Sequence, residues 1–550
     1  MSETQAPWWH QATIYQIYPR SFSDSDGDGI GDLPGIISRL DYLEQLGITA
    51  IWLSPVFRSP MDDNGYDISD YQDIAPEFGT LADFDQLVAE AKNRGIGIIL
   101  DLVVNHTSDE HPWFIEACKG RDNPYRDFYI WRDAKADGGL PTDLQSSFGG
   151  PGWTFHEATG QYFCHQFSRR QPDLNWENPQ LRAEIYKMMN WWLDRGIAGF
   201  RMDVIDLIGK QVDKGITAEG PHLHEYLQEM NRETFGARDV LTVGEAWSAT
   251  PASALLYSGR DRGELSMVFQ FEHVTQQWDQ IFGKWKPKPF DLVALKETLG
   301  KWQLALADDG WNSLFWGNHD LPRAVSRYGD ATGHHRESAK MLATVLHLLK
   351  GTPYVYQGEE IGMTNVPFTA IEQYKDVETL NMHRLHVDAG HSPEEFIAGA
   401  NANGRDNART PMQWTAAENG GFTTGVPWIE TNPNYRDINV EQSLSDSQSI
   451  WNHYRQLIAQ RKQHPIIIYG RYQSYLNQDP QFFVYTRTLD EQTLLVVANF
   501  SNKAGMLTLP AELRLSGECI STNYQPRRSV GESVTLEPYE AFAILSGGNE

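Results

Sequence analysis

Eight short apolar runs recur through the first 360 residues, and no other pattern in the chain constrains its fold so strongly. They are "TIYQI" (13–17), "AIWLSP" (50–55), "GIILDLVVNH" (97–106), "GFRMDV" (199–204), "LTVGEA" (241–246), "MVFQFE" (267–272), "SLFWGNHD" (313–320) and "PYVYQGEE" (353–360). Near-continuous apolar runs of this length suit strands of a parallel sheet, which are covered on both faces. Helical patterns lie between them. In "TLADFDQLVAEAKNRG", Leu81, Phe84, Leu87, Val88 and Ala91 share one face, and Gly95 stands where a helix stops. Eight strand-then-helix units in one chain predict an α/β fold, a (β/α)8 TIM barrel.

Two stretches depart from the alternation. Residues 106–174 are far longer than an ordinary strand-to-helix loop and rich in Gly, Pro and aromatics, which predicts a subdomain inserted after the third strand. From residue 471 the pattern becomes short alternating runs such as "FFVYTRTL" and "TLLVVANFS", the signature of an antiparallel β-domain. The expected division is therefore barrel (1–105), insertion (106–174), barrel again (175–470) and a C-terminal β-sandwich domain (471–550).

The formal charge of −27 argues against nucleic acid or an anionic membrane as a partner, since both attract basic surfaces. No apolar run reaches the roughly 18 residues that span a bilayer. The amino terminus "MSETQAPWWHQ" shows no secretory pattern. The three cysteines Cys118, Cys164 and Cys519 make no disulfide framework. Together these features predict a cytoplasmic protein, a monomer or weak oligomer.

Barrel enzymes carry their chemistry at the carboxyl ends of the strands. Those ends offer Asp101 and His106, then Arg201 and Asp203, then Glu245, then His319 and Asp320. Any one of them alone reads as a cap or a loop residue. Three carboxylates converging on one mouth instead suit glycoside hydrolysis, which needs a protonated acid for the leaving oxygen and a carboxylate beside the anomeric carbon. Arg201, two residues before Asp203, is expected on the same side of the strand, where its charge would lower the Asp203 pKa. Glu245, with Trp247 close by, is expected in an apolar setting that raises its own.

"DLVVNH", "GFRMDV", "GEAW" and "WGNHD", in this order and spacing, resemble the barrel motifs of glycoside hydrolase family 13, the α-amylase family. "QPDLNW" (171–176), "GTPYVYQGEE" (351–360) and "GRDNARTPMQW" (404–414) are similar to its oligo-1,6-glucosidase branch. The resemblance covers nearly the whole chain. It implies Asp203 as nucleophile, Glu245 as acid/base, and Asp320 as the carboxylate that grips the sugar hydroxyls. It also implies that Asp63, Tyr66, His106, Phe148, Phe167, Arg201, His319 and Arg405 form the subsite for the nonreducing-end glucose. In this branch a valine after the nucleophile, here Val204, accompanies α-1,6 linkages; a strand's preference for β-branched residues would explain it equally well. "GEAWSAT" resembles the dextran glucosidase pattern, making Trp247 an aglycone platform, and Glu378 in "KDVETLN" is a candidate for an aglycone hydroxyl.

The implied activity is a retaining, exo-acting α-1,6-glucosidase of isomalto-oligosaccharides and dextran. The alternatives are an oligo-1,6-glucosidase restricted to short substrates, a trehalose-6-phosphate hydrolase, or a sucrose-acting relative. A non-catalytic barrel of the same superfamily would lack the intact carboxylate trio. Finally, "DSDGDGIGD" (24–32) presents Asp24, Asp26, Asp28, Ile30 (through its carbonyl) and Asp32 at the spacing of a calcium loop, with Gly29 for the turn. The twelfth position is Gly35 rather than a bidentate glutamate. Related family members bind calcium here, so a structural Ca2+ is expected.

Overall fold

The computed structural model describes residues 6–547. All eight apolar runs form strands: β1 (Ile14–Ile17), β2 (Ala50–Leu53), β3 (Gly97–Leu102), β4 (Gly199–Met202), β5 (Leu241–Glu245), β6 (Met267–Phe269), β7 (Ser313–Leu314) and β8 (Thr352–Tyr356). They pair in parallel in the order β6-β5-β4-β3-β2-β1-β8-β7. A parallel bridge from Val268 to Asn312, with Ser313 Oγ donating to the Val268 carbonyl at 2.6 Å, joins β6 to β7 and closes the barrel.

Successive side chains on a strand face opposite ways. Ile14, Ala50, Trp52, Ile99, Leu241, Val243, Met267, Phe269 and Tyr354 accordingly fill one inner core. Their neighbours Ile51, Leu53, Ile98, Leu100, Phe200 and Met202 join a second core, packed toward the helices. The inward parity of β3, β4 and β5 also carries Asp101, Arg201 and Glu245, so the alternation that builds the core aims these charges into the barrel mouth. Asp101 is in direct register with Arg201. Gly199 opens β4 because the backbone of β5 comes so close: its φ is +147°, and a Cβ there would stand 1.8 Å from the Leu241 carbonyl oxygen.

The helix Leu81–Asn93 shows how the intervening units are specified. Thr80 and Asp83 close a capping box at its start, and Phe84, Leu87, Val88 and Ala91 are buried. Between β3 and β4 the chain makes a three-stranded antiparallel sheet, and it returns to the barrel through a bridge between His106 and Asp173. After β8 a long excursion contains the helices Val377–Asp388 and Pro393–Asn403, which the sequence reading did not anticipate. A five-stranded antiparallel sheet follows, in the order Arg471–Tyr475, Phe482–Leu489, Gln492–Asn499, Ala541–Ser546, Glu518–Thr522, with a separate two-stranded pair. The three cysteines are free thiols. Among the described residues, no helix is long and apolar enough to cross a membrane.

Candidate active site

Arg201 is the hub at the floor of the mouth. Its Nη1 lies 2.7 Å from Asp101 Oδ1 and 2.9 Å from Asp203 Oδ1, and its Nη2 lies 2.7 Å from Glu245 Oε2. Asp101 also accepts from Trp52 Nε1 at 3.1 Å and from the Tyr66 hydroxyl at 2.9 Å. One guanidinium therefore serves three buried carboxyl groups, and this corrects the expected electrostatics. Burial pushes the Asp203 carboxyl well above the ordinary range. Arg201 pulls it down, but the charges of Glu245, Asp101 and Asp320 add to the rise. Asp101 is likewise pushed up to about 6 by burial, against the pull of Arg201. The sequence displayed the pairing of Arg201 with Asp203 and hid the sharing.

Glu245 is not the isolated carboxyl in an apolar pocket that its sequence neighbours suggested. Besides Arg201 it accepts from the Val204 amide at 3.0 Å and from Trp247 Nε1 at 3.0 Å. Val204 itself is not a strand residue. β4 ends at Met202, and Val204 sits beyond it with φ 36° and ψ 44°, in the left-handed region. That conformation is unusual for any side chain and costly for a β-branched one. Strand propensity therefore cannot explain the valine. Its backbone is bent so that its N–H meets Glu245, and its side chain lines the cavity.

Beyond the pair, one end of the cavity is closed by a second ionic cluster. Arg405 Nη2 reaches Asp63 Oδ1 at 3.0 Å and Asp376 Oδ1 at 2.5 Å, and its Nη1 lies 3.4 Å from Asp320. Arg409 Nη2 meets Asp320 at 2.8 Å. Burial would raise Asp320, yet His319 beside it and the guanidinium groups of Arg405, Arg409 and Arg201 hold it well below the usual carboxylate range. Burial raises Asp63 to about 7 against the pull of Arg405 and Arg409. The Arg405 guanidinium lies 4.9 Å over the Phe148 ring, and Phe148 packs edge-on against Phe167 at 5.4 Å. Tyr66 and His106 complete this end. Arg201 and His319 are fully buried one layer behind the wall, and they act on the cavity through the carboxylates they touch.

The opposite end opens outward. The cavity measures about 720 Å³, within the ~300–1,000 Å³ of ordinary ligand pockets. Trp278, Phe282 and Trp285 from the segment after β6, with Met382, Leu385 and Phe396 from the two helices after β8, line it. At its lip Ile281 is 85% exposed and Leu385 38% exposed. None of these residues was anticipated, because no motif surrounds them. The available signal was helical spacing: Met382, Leu385, His386 and Ala389 share one face of a helix, and that face turns to the cavity. Trp247 also lines this side, its ring stacked on Phe271 at 3.8 Å. Glu378 lies here as well, held by Lys284 Nζ at 2.5 Å and facing Arg405 Nε at 3.3 Å.

The acidic loop near the start contributes nothing to the cavity lining. Carboxylate oxygens of Asp24, Asp26 and Asp28 lie within 4.8 Å of one another. Asp32 does not join them: its Oδ1 caps the helix Leu33–Ile37 through Gly35 N at 2.6 Å, and its Oδ2 accepts from Ser25 N and Oγ. The Ile30 amide donates to Asp28 Oδ1 at 2.8 Å.

Comparison with known proteins agrees with this architecture. Residues 16–470 match the α-amylase catalytic domain, and residues 482–542 match the C-terminal domain of the α-amylase SusG. The chain is 58% identical to a palatinase of Erwinia rhapontici, over 98% of each chain. It is 54% identical to an oligo-1,6-glucosidase of Halalkalibacterium halodurans, over 99% of each. It is 52% identical to a glucan 1,6-alpha-glucosidase of Streptococcus pneumoniae, over 98% of this chain and 99% of that one. With the barrel, the carboxylate-lined mouth and these relatives in agreement, the protein is a glycoside hydrolase and belongs to the α-amylase family, glycoside hydrolase family 13.

Proposed function

We propose that the protein is a retaining, exo-acting α-1,6-glucosidase that releases glucose from the nonreducing ends of isomalto-oligosaccharides and dextran. One observation carries the reading: Asp203 and Glu245 share Arg201 in a cavity that the Asp63–Arg405–Asp320 cluster closes on one side only. A chain end fits such a cavity, and a chain interior does not. Asp203 attacks the anomeric carbon and forms a glucosyl ester while Glu245 protonates the departing oxygen. Glu245, now a base, then takes a proton from the water that cleaves the ester. Asp63, His106, Asp320 and Arg405 hold the glucose hydroxyls at the closed end.

Val204 supports the α-1,6 assignment, since its branched side chain occupies space directly beside the reacting pair. Phosphorylated glucosides are disfavoured by charge. Asp63, Asp203, Asp206, Glu245, Asp320 and Glu378 line the cavity, and its lysine and arginine, Lys284 and Arg405, are both already engaged by carboxylates. An oxygen-rich carboxylate cluster suits calcium, so we assign Asp24, Asp26 and Asp28 to a structural Ca2+. Asp32 serves the helix cap instead.

Two measurements test the function. Assayed side by side, isomaltose, isomaltotriose and dextran should be cleaved far better than maltose, sucrose or trehalose 6-phosphate. Isomaltulose in the same panel separates a preference for short substrates from one for chains. NMR of early turnover should show α-glucose before mutarotation, and release of the β-anomer would remove the covalent mechanism.

A further inference from the structure

His106 stands at the closed end of the cavity, and an imidazole there can either donate or accept at the nitrogen facing that end. Which it does depends on a buried chain of hydrogen bonds behind it. Lys210 follows β4, and its side chain is 1% exposed. Its Nζ lies 3.1 Å from Asp173 Oδ2 and donates to Asn105 Oδ1 at 2.6 Å. An ammonium has only hydrogens to give. Asn105 must therefore turn its oxygen to Lys210 and its amide nitrogen to His106, where Nδ2 stands 3.1 Å from Nδ1. A donor facing Nδ1 leaves that nitrogen without a proton. In the neutral ring the proton is then on Nε2, which lies 3.1 Å from the Tyr66 carbonyl oxygen.

The contacts around Nε2 agree. Gln171 Nε2 also lies 3.2 Å from it, but Gln171 donates to Asp63 Oδ2 at 3.1 Å and leaves the Tyr66 carbonyl as the acceptor for His106. Burial, with Lys210 as the nearby cation, lowers His106 to about 3, so the ring stays neutral across the working range.

We propose that Lys210 and Asn105 are positioning residues that lock His106 in its Nε2–H tautomer, so that the proton held by the Tyr66 carbonyl is the one a glucose oxygen shares or takes over at that end of the cavity. The proposal rests on the reading of that end as the glucose site. Its role there is complementary, for Asp63 and Asp320 accept and Arg405 donates. Without the lock the ring could present a lone pair and meet a sugar oxygen with the wrong sign. Asp173 belongs to the same device: its Oδ1 accepts from Gln166 N at 3.1 Å within the insertion, and its Oδ2 holds Lys210, tying the insertion to the segment that follows β4.

Asn105→Asp tests this with almost no change of shape. The new carboxylate oxygen would face Nδ1 and draw the proton there. In 15N-histidine NMR, with His106 assigned by difference from His106→Gln, the wild type should show a bare Nδ1 and a protonated Nε2 from pH 5 to 8. The variant should show a protonated Nδ1. The groups facing the ring are Lys210 behind it, Asp63 through Gln171, and the introduced carboxylate, which favours the imidazolium. Below the raised pKa both nitrogens carry protons and donation to the sugar survives. Above it Nε2 is bare, and kcat/KM for isomaltose should fall roughly 10-fold or more relative to wild type, the cost of a lost buried hydrogen bond. If the extra charge prevents folding, Asn105→Asp with Asp173→Asn keeps one carboxylate on Lys210 and restores the test. A protonated Nδ1 in the wild type overturns the proposal. So does a pH-independent loss in the variant, which is what a merely structural role predicts. An inactive wild type on every glucoside would instead overturn the functional reading and leave the NMR result standing.

Discussion

At the closed end of the cavity, Arg405 touches Asp63, Asp320 and Asp376, while Arg201 touches Asp101, Asp203 and Glu245, all of them buried or nearly so. At the open end the wall is Trp278, Phe282, Trp285, Met382, Leu385 and Phe396, and its ion pair of Lys284 with Glu378 meets the closed end only where Glu378 faces Arg405. Buried charges held by geometry tolerate little rearrangement, because removing one partner strands the others. Apolar surface is non-directional and forgiving. Under the proposed function, the molecule is exacting about the glucose held at the closed end and permissive about what that glucose is attached to.

The largest effect should come from breaking the exacting end. Arg405→Met leaves Asp63 and Asp376 without their principal cation, and a buried pair broken on one side costs about 3–5 kcal/mol. Urea unfolding should register that loss alongside the loss of activity. Wild-type stability in this variant would mean the closed end is held by packing rather than by charge. Glu245→Gln separates chemistry from framework. It should lower isomaltose hydrolysis by roughly 10²-fold or more, the usual scale of general acid catalysis, and spare an aryl glucoside whose leaving group needs little protonation.

Val204 stands between the two ends. Val204→Ala should lower the ratio of kcat/KM for isomaltose over maltose, chiefly by a gain on maltose. Loss of hydrophobic bulk at a specificity site is worth roughly 1–3 kcal/mol, or about 10- to 200-fold. Phe282→Ala probes the permissive end. Loss of one aromatic contact, worth about 0.5–1.5 kcal/mol, should raise KM for isomaltotriose about 2- to 12-fold with kcat nearly unchanged. A fall in kcat instead would show that the open wall is as exacting as the closed one.

The same contrast explains what could be read in the sequence. The barrel was legible because eight buried strands must each be a short apolar run, and the charged cluster at its mouth was legible because strand parity fixes where Asp101, Arg201 and Glu245 point. Charge balance was not: the spacing of Arg201 and Asp203 shows their pairing, while the competing claims of Asp101 and Glu245 exist only once three strands are in register. Val204 read as a strand residue because sequence carries no mark of a left-handed φ at a β-branched position. The apolar wall was invisible because its residues come from two segments after different strands and meet only in the folded chain. Lys210 passed as an ordinary lysine, since nothing nearby in sequence reveals that Asn105 and Asp173 enclose it.

The smallest effect on catalysis should come from the acidic loop, which shares no wall with either end. Asp24 already accepts from the amides of Asp26, Gly27 and Gly29, and the Asp28 carboxylate from that of Ile30. The loop is therefore shaped before any ion arrives, and its carboxylates repel one another when the site is empty. An ion bound to the folded loop stabilises the protein by mass action, by about 2.7 kcal/mol at a hundred times its dissociation constant. Adding calcium to chelator-stripped protein should raise the Tm and leave kcat on isomaltose unchanged, and Asp26→Asn should reduce the gain. Asp32→Asn should behave differently. It weakens the cap on the helix Leu33–Ile37 and lowers the Tm with or without calcium, because that carboxylate serves the helix rather than the ion. If Asp32→Asn instead abolished only the calcium-dependent gain, Asp32 would be a ligand, and the cap seen here would have to open when the ion binds.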